Sequence, residues 1–198
     1  MVVLAAACVL AQPICAEQPA RSEFRVCQDP GNLPFSNEKG EGFENKVAEL
    51  LASKLGLPVR YYNFPQRMGF IRNTLRFKLP GEDFACDVVM GVPARYDQAL
   101  PTQPYYRSAY VLVVGPRLPE VQAYTDLLKL ADARRTALRI GVYDRSPASD
   151  WLARHGLVDQ AVVYRVLNAD PAHYPGQIIE HDLADGKLDA AIVWGPIG

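Results

Sequence analysis

The chain has no excess of charge of either sign. It carries 21 lysines and arginines against 22 aspartates and glutamates, for a net charge of −1. Because the charges balance, the chain has no basic surface of the kind that binds nucleic acid or an anionic membrane, and we expect neither as a partner. Long hydrophobic runs are also lacking, since the apolar run at residues 2–11 is about half of the roughly 20 residues that a membrane-spanning helix needs.

Motifs of catalysis are missing as well. The sequence contains no G-x-S-x-G, no G-x-G-x-x-G and no Walker A motif. The three histidines, His155, His173 and His181, are not spaced as metal ligands are. We therefore expect a binding protein rather than an enzyme, with no metal and no cofactor.

What remains is an ordinary soluble composition. The chain has 198 residues, of which 49% are hydrophobic and 22% charged, enough for one large domain or two small lobes. Sixteen prolines indicate that much of the chain lies in loops of fixed shape rather than in long helices.

Residues 1–16 predict a secretory signal peptide. Residues 2–11 have the length of the apolar segment of such a peptide, and residues 14–16 precede a cleavage site. No basic residue precedes the apolar run, so we expect the natural start to lie upstream. Two alternatives stay open: an N-terminus without fixed structure, and a lipid anchor on Cys8 or Cys15, although neither cysteine follows a leucine by three residues.

Residues 23–114 predict a first lobe that ends in a connecting strand at 108–114. Its first strand, residues 25–28, runs into a loop of turn-forming residues at 29–36. Strands and helices then alternate, which indicates a parallel sheet. Because ligands bind beyond the carboxyl ends of such strands, the loop at 29–36 is predicted to line a binding mouth. The alternative is a plain surface loop between a strand and a helix.

The helix after this loop is predicted to start near residue 43 and to stop at Gly56. Apolar residues at helical spacing define the face that we expect to be buried. These residues are Phe43, Val47, Leu50, Leu51 and Leu55.

Residues 115–198 predict a second α/β lobe. Strands are expected at residues 138–143, 161–167 and 188–193, and Ser146-Pro147 are typical of a helix start. The chain stops at Gly198, directly after a core strand. We therefore expect a segment that returns to the first lobe to be missing from this sequence.

Removal of the signal peptide would leave Cys27 and Cys86. An oxidising compartment permits a disulfide between them. If their strands are parallel neighbours, however, the two thiols differ in height by about three residues, or on the order of 10 Å, while a disulfide needs Cα atoms within about 7 Å. The sequence leaves both outcomes open and favours unpaired thiols.

Several motifs resemble the type II periplasmic solute-binding proteins, in particular the quinoprotein-dehydrogenase-associated group of the MxaJ/XoxJ type. The resemblance implies a two-lobed periplasmic fold, and it covers about residues 25–198. It is carried by Arg25-Val26-Cys27 with Asp29-Pro30, Asn32-Leu33-Pro34-Phe35-Ser36-Asn37, Gly40-Glu41-Gly42-Phe43-Glu44-Asn45-Lys46, Gln66-Arg67, Phe70-Ile71-Arg72-Asn73-Thr74-Leu75, Cys86-Asp87-Val88-Val89-Met90-Gly91-Val92-Pro93 and Pro104-Tyr105-Tyr106-Arg107-Ser108.

The sequence departs from the amino-acid-binding members of this family. Arg95 falls where those members hold the ligand carboxylate with an arginine, but Val92 replaces their threonine. The stretch at residues 193–196 lacks their acid for the ligand ammonium, and an unpaired ammonium is costly in a closed cleft. These departures disfavour ordinary amino-acid binding and suit a peptide segment or a protein loop.

The predicted cleft has aromatic walls and a few polar groups, as binding sites commonly do. Other roles stay open: Tyr105 and Tyr106 as hinge core, Arg95 as a surface arginine, Ser146 as a helix cap, and Trp194 as a packing residue. The predicted cleft residues are Asp29, Asn32, Phe35, Phe43, Gly91, Arg95, Tyr105, Tyr106, Tyr143, Ser146 and Trp194.

The resemblance implies an accessory protein that helps to mature or activate a PQQ-dependent alcohol (methanol) dehydrogenase in the periplasm. The alternative function is a receptor that delivers a small organic solute to a membrane permease of an ABC transporter.

Overall fold

The computed structural model describes residues 21–130, 132–167, 170 and 172–198. The predicted signal peptide at 1–16, with Cys8 and Cys15, lies outside the described residues. No helix within the described part of the chain combines the length and the apolar character that crossing a membrane requires.

The first lobe contains a three-stranded parallel sheet with β1 (Phe24–Gln28) in the middle. Strands β4 (Val59–Asn63) and β5 (Val88–Val89) flank it, with Val26 beside both Tyr61 and Val88. A small hairpin of β2 (Gly31–Asn32) and β3 (Ser36–Asn37) follows β1. Helices α1 (Phe43–Leu55) and α2 (Phe70–Asn73) complete the predicted alternation of strands and helices.

The second lobe contains a four-stranded sheet in the order β6, β9, β7, β8. Strands β7 (Ile140–Tyr143), β8 (Ala161–Tyr164) and β9 (Ala190–Trp194) are parallel, and β6 (Tyr110–Val114) runs antiparallel to β9. Its core includes Ile140, Leu152 and Ile192. The helices are α3 (Tyr124–Lys129), α4 (Asp132–Thr136), α5 (Pro147–Arg154), a 3₁₀ turn (Val158–Gln160) and a π-helix (Ile178–Leu183).

The buried face of α1 is not the predicted one. Ala48 and Ala52 are buried against the sheet, whereas the predicted leucines are exposed, with Leu50 and Leu55 at 58% and 59%. Both faces of this helix carry apolar residues at helical spacing, so periodicity alone does not tell them apart. The small alanines allow the helix axis to lie close to the strands.

The structure joins Cys27 to Cys86 in a disulfide, with Cα atoms 5.5 Å apart. The expectation of unpaired thiols is therefore wrong. The predicted difference in height between the two thiols assumed that residues 86–90 form one unbroken strand beside β1. In the structure only β5, residues 88–89, pairs with β1. Cys86 precedes β5, where the Asp87 N–H donates to the Arg25 carbonyl at 2.8 Å.

An arginine and an aspartate pair at the amino end of each sheet. In the first lobe, the Arg25 guanidinium donates to the Asp87 carboxylate at 2.9 Å. In the second lobe, Asp189 is buried and accepts from the Arg139 backbone at 2.9 Å, with Arg117 at 2.7 Å. These ion pairs fasten the ends of the strands that lie opposite the predicted binding mouth.

Replacing both cysteines, Cys27→Ser with Cys86→Ser, is expected to lower the free energy of unfolding by about 2–4 kcal/mol, because the disulfide closes a long loop in the unfolded chain. The sequence separation is 59 residues. Urea unfolding of both proteins measures the loss, and dithiothreitol should reproduce it in the natural sequence only. If the natural protein and the double variant have equal free energies of unfolding without dithiothreitol, the disulfide does not stabilise the fold.

Candidate functional site

A cavity of about 260 Å³ lies between the two lobes. The first lobe contributes the exits of β1 and β4, and the second contributes the carboxyl ends of β7 and β8 with the segment before the π-helix. This is the position expected for a ligand site in an open α/β sheet. The lining residues are Asp29, Gly31, Asn32, Gln66, Tyr143, Val163, Tyr164, Arg165, Val166, His173, Tyr174, Pro175 and Gln177.

Asp29 holds the first-lobe wall of this cavity in place. Its carboxylate accepts from the backbone N–H of Gly31 at 2.8 Å and of Gln66 at 2.6 Å. Its carbonyl accepts from the Ser36 hydroxyl at 2.8 Å. Since two N–H groups already satisfy the carboxylate, Asp29 positions the loops after β1 and β4.

The second-lobe wall is fixed by tyrosine hydroxyls. Tyr143 donates to the Pro175 carbonyl at 2.8 Å, and Tyr164 donates to Asp182 at 2.5 Å. Burial, followed by the nearby Asp182 charge, raises the pKa of Tyr143 well above its usual range, so its hydroxyl stays protonated as a donor. The Gly176 N–H donates to the Leu33 carbonyl at 2.9 Å and so links the two lobes beside the cavity.

The arginine in the cleft is Arg165 and not Arg95. Arg95 is exposed on the loop after β5, lies outside the cavity lining, and forms no hydrogen bond or ion pair with the described residues. Arg165 follows β8 directly and lines the cavity. The prediction that Arg95 lies in the cleft came from its spacing to the Pro-Tyr-Tyr motif and from the family resemblance. No sequence motif marks Arg165.

Four of the predicted aromatic residues form a separate cluster. The rings of Phe35 and Phe43 are 5.4 Å apart, those of Phe43 and Tyr106 are 5.5 Å apart, and those of Tyr105 and Tyr106 are 5.2 Å apart. None of the four lines the large cavity. The cluster joins α1 to the segment that leads to the second lobe, and its two tyrosines stay exposed, Tyr105 at 47% and Tyr106 at 36%.

Gly91 adjoins this cluster, and its backbone requires glycine. Its φ is +69°, and a Cβ there would lie 2.3 Å from Oε1 of Glu44. The Gly91 N–H donates to the Tyr105 hydroxyl at 3.3 Å. Gly91 therefore allows the Glu44 side chain and Tyr105 to approach the end of β5.

Glu44 is the functional candidate that sequence reasoning missed. It is only 6% exposed, and burial raises its pKa to about 7. Its carboxyl group has no hydrogen bond or ion pair with the described residues, and it lines a pocket of about 30 Å³ that shares Asp29, Asn32 and Gln66 with the large cavity. An acidic residue in the first turn of a helix is commonly explained by its favourable interaction with the helix dipole. The sequence therefore gives no sign that Glu44 is buried.

Ser146 and Trp194 have local roles. The Ser146 hydroxyl accepts from the Ser149 N–H at 3.2 Å and donates to the Tyr143 carbonyl at 2.7 Å, so it caps α5. The Trp194 ring packs edge-on against Tyr110 at 5.6 Å. Neither residue lines the cavity, which leaves Asp29, Asn32 and Tyr143 as the predicted residues that the structure brings together there. Within the described ranges, no three His, Cys, Asp or Glu side chains are grouped as metal ligands would be.

No model of a known protein family matches the chain. Among solved structures, the chain is similar to the periplasmic binding protein XoxJ from Methylobacterium extorquens AM1, at 38% identity and a TM-score of 0.63, covering 87% of this chain and 68% of that one. It is also similar to MxaJ from Methlophaga aminisulfidivorans MPT, at 20% identity and a TM-score of 0.64, covering 87% and 70% of the two chains. The second likeness concerns the fold alone.

Among curated proteins, the chain is 36% identical over 110 residues to Protein MoxJ of Paracoccus denitrificans, which is 55% of this chain and 37% of that protein. The chain spans between 37% and 61% of the length of the curated relatives that it matches. Together with the two lobes, these comparisons confirm the predicted fold.

Because the Glu44 carboxyl group is buried, we expect the stability difference between the natural protein and Glu44→Gln to depend on pH. Between pH 4.5 and about 7, the unfolded state releases the Glu44 proton while the folded state keeps it. The natural protein should therefore lose stability relative to the variant as the pH rises through this window, by about 3 kcal/mol at most. Urea unfolding of both proteins across the window measures this difference. A difference that stays constant with pH would mean that Glu44 ionises normally in the folded protein.

Proposed function

Since this chain belongs to the periplasmic binding protein family of XoxJ, we propose that it acts in the periplasm as an accessory factor for a PQQ-dependent alcohol dehydrogenase. In this proposal the cleft between the lobes binds a segment of the immature or inactive enzyme and so assists its maturation or activation. This chain performs no catalytic step.

The observation that carries the proposal is the make-up of the cleft. The cavity combines aromatic and aliphatic walls with amide side chains and one arginine. The acid that would hold the ammonium of an amino acid is not found in the stretch after β9, residues 193–196. A peptide segment, which has no free ammonium in its interior, does not need that acid.

Exposed apolar side chains continue from the cavity along β8. Val163 and Val166 line the cavity and are 58% and 48% exposed, and Val162 and Leu167 beside them are also exposed. Exposed apolar side chains beside a cleft are a feature of protein interaction sites. β8 is also an edge strand that pairs only with β7 among the described residues, so an extended segment can add to it by backbone hydrogen bonds.

The volume of the cavity also supports the second candidate function, a solute receptor for a membrane permease. About 260 Å³ is close to the lower end of the range for small-molecule sites. The two candidates differ in what is found in the cleft: a protein segment that also covers β8, or a free small molecule enclosed by both lobes.

Val163→Glu is expected to weaken binding of the purified dehydrogenase by about tenfold or more, because a charged side chain would be placed against the apolar part of the bound segment. The matched control is Val158→Glu, since Val158 is 60% exposed, Val163 is 58% exposed, and Val158 lies outside the cavity lining. Biolayer interferometry of the full-length mature proteins against the apo and holo forms of the enzyme measures both effects.

Two results would contradict the proposal, the first its use of the cleft and the second the accessory role. One is equal binding by the two variants, which would place any contact outside the cleft. The other is no binding of either enzyme form while a small molecule co-purifies with the protein, which would support the solute receptor.

A further inference from the structure

Arg165 lies in the cleft without an ion pair to the described residues. It follows β8 directly, at the carboxyl end of a parallel strand, and it lines the cavity. Its side chain forms no hydrogen bond or ion pair with the described residues and is exposed. A guanidinium at the carboxyl end of a strand is placed where ligands of α/β sheets bind.

The acids near the cavity are already engaged by other groups. Asp29 accepts from two backbone N–H groups at 2.8 and 2.6 Å. Asp144 accepts from the Val166 N–H at 2.9 Å and pairs with Arg145 at 3.5 Å. Asp182 accepts from Tyr164 at 2.5 Å and from Lys187 at 2.9 Å. These hydrogen bonds leave the Asp29 charge in place, so the lining holds one carboxylate and one guanidinium, and no described carboxylate forms an ion pair with that guanidinium.

The cavity lining also holds neutral amide donors. Asn32, Gln66 and Gln177 line the same cavity, and their side-chain amides have no hydrogen bond with the described residues. The other basic group in the lining, His173, contacts the Asp170 carboxylate at 3.0 Å. One guanidinium without an ion pair, in a lining that also holds neutral amides and the Asp29 carboxylate, suits an anion of a single charge better than a phosphate dianion. Its planar fork matches the two oxygens of a carboxylate.

We infer that Arg165 recognises a carboxylate carried by the occupant of the cleft, with the three amides donating further hydrogen bonds. This inference rests on the proposed use of the cleft as a binding site. The carboxylate comes from one of two sources, an acidic residue of a protein segment or a free organic acid. In both cases Arg165 takes the role that the family resemblance implies for Arg95.

Isothermal titration calorimetry on the full-length mature protein tests the inference with two matched pairs of probes. The peptide pair is N-acetyl-Gly-Glu-Gly-amide and its glutamine counterpart, and the small-molecule pair is pentanoate and pentanamide. We expect at least one acid to bind more tightly than its amide. Arg165→Gln should weaken that acid by about tenfold or more, Arg165→Lys should weaken it less, and Arg154→Gln should have no effect. Arg154 is a matched control because it is an exposed, unpaired arginine of the same lobe outside the cavity.

Binding of the peptide acid alone assigns the carboxylate to a protein segment, and binding of pentanoate alone assigns it to a free acid. The inference is overturned if neither acid binds at millimolar concentration, if the amides bind as tightly as the acids, or if Arg165→Gln binds the acid unchanged. Failure of the proposed function looks different: the acid still binds through Arg165 while no dehydrogenase is bound. Failure of the inference alone leaves the dehydrogenase bound equally by the natural protein and by Arg165→Gln.

Discussion

Three consecutive residues at the carboxyl end of β1 fix the architecture around the cleft. Cys27 ties the strand covalently to Cys86. The Gln28 amide donates to the Asn37 carbonyl at 3.0 Å and to Asn63 at 2.9 Å, which joins the hairpin and β4 to the same point. Asp29 then fastens the loops that form one wall of the cavity. Because buried polar groups are costly unless they are satisfied, this set of partners specifies one arrangement of the first lobe.

The two ends of the sheets differ in how their charges are matched. At the amino ends, Asp87 and Asp189 are paired with arginines, so these ends serve stability. At the carboxyl ends, the buried Glu44 carboxyl and the Arg165 guanidinium have no partner among the described residues. Burial of the Glu44 carboxyl lowers the stability of the free protein, whereas the exposed Arg165 guanidinium stays available to an occupant. The contrast supports the proposal that the binding site lies at the carboxyl ends.

Features that depend on local sequence could be predicted, and those that depend on long-range packing could not. The alternation of strands and helices and the Ser146 cap follow from spacing and turn chemistry within a few residues. The buried face of α1 depends on which of two apolar faces meets the sheet, and the disulfide depends on where the chain leaves β5. Arg165 and Glu44 became candidates only from the arrangement of the two lobes and from burial.

Hydrogen–deuterium exchange of the full-length mature protein, alone and with the PQQ-dependent dehydrogenase, tests the central claim that the cleft is the binding site. We predict slower exchange at residues 29–33, 163–166 and 174–177, which form the two walls of the cavity and the adjoining edge of β8. Unchanged exchange in these three segments, with slowing confined to another surface such as the exposed leucines of α1, would contradict the account.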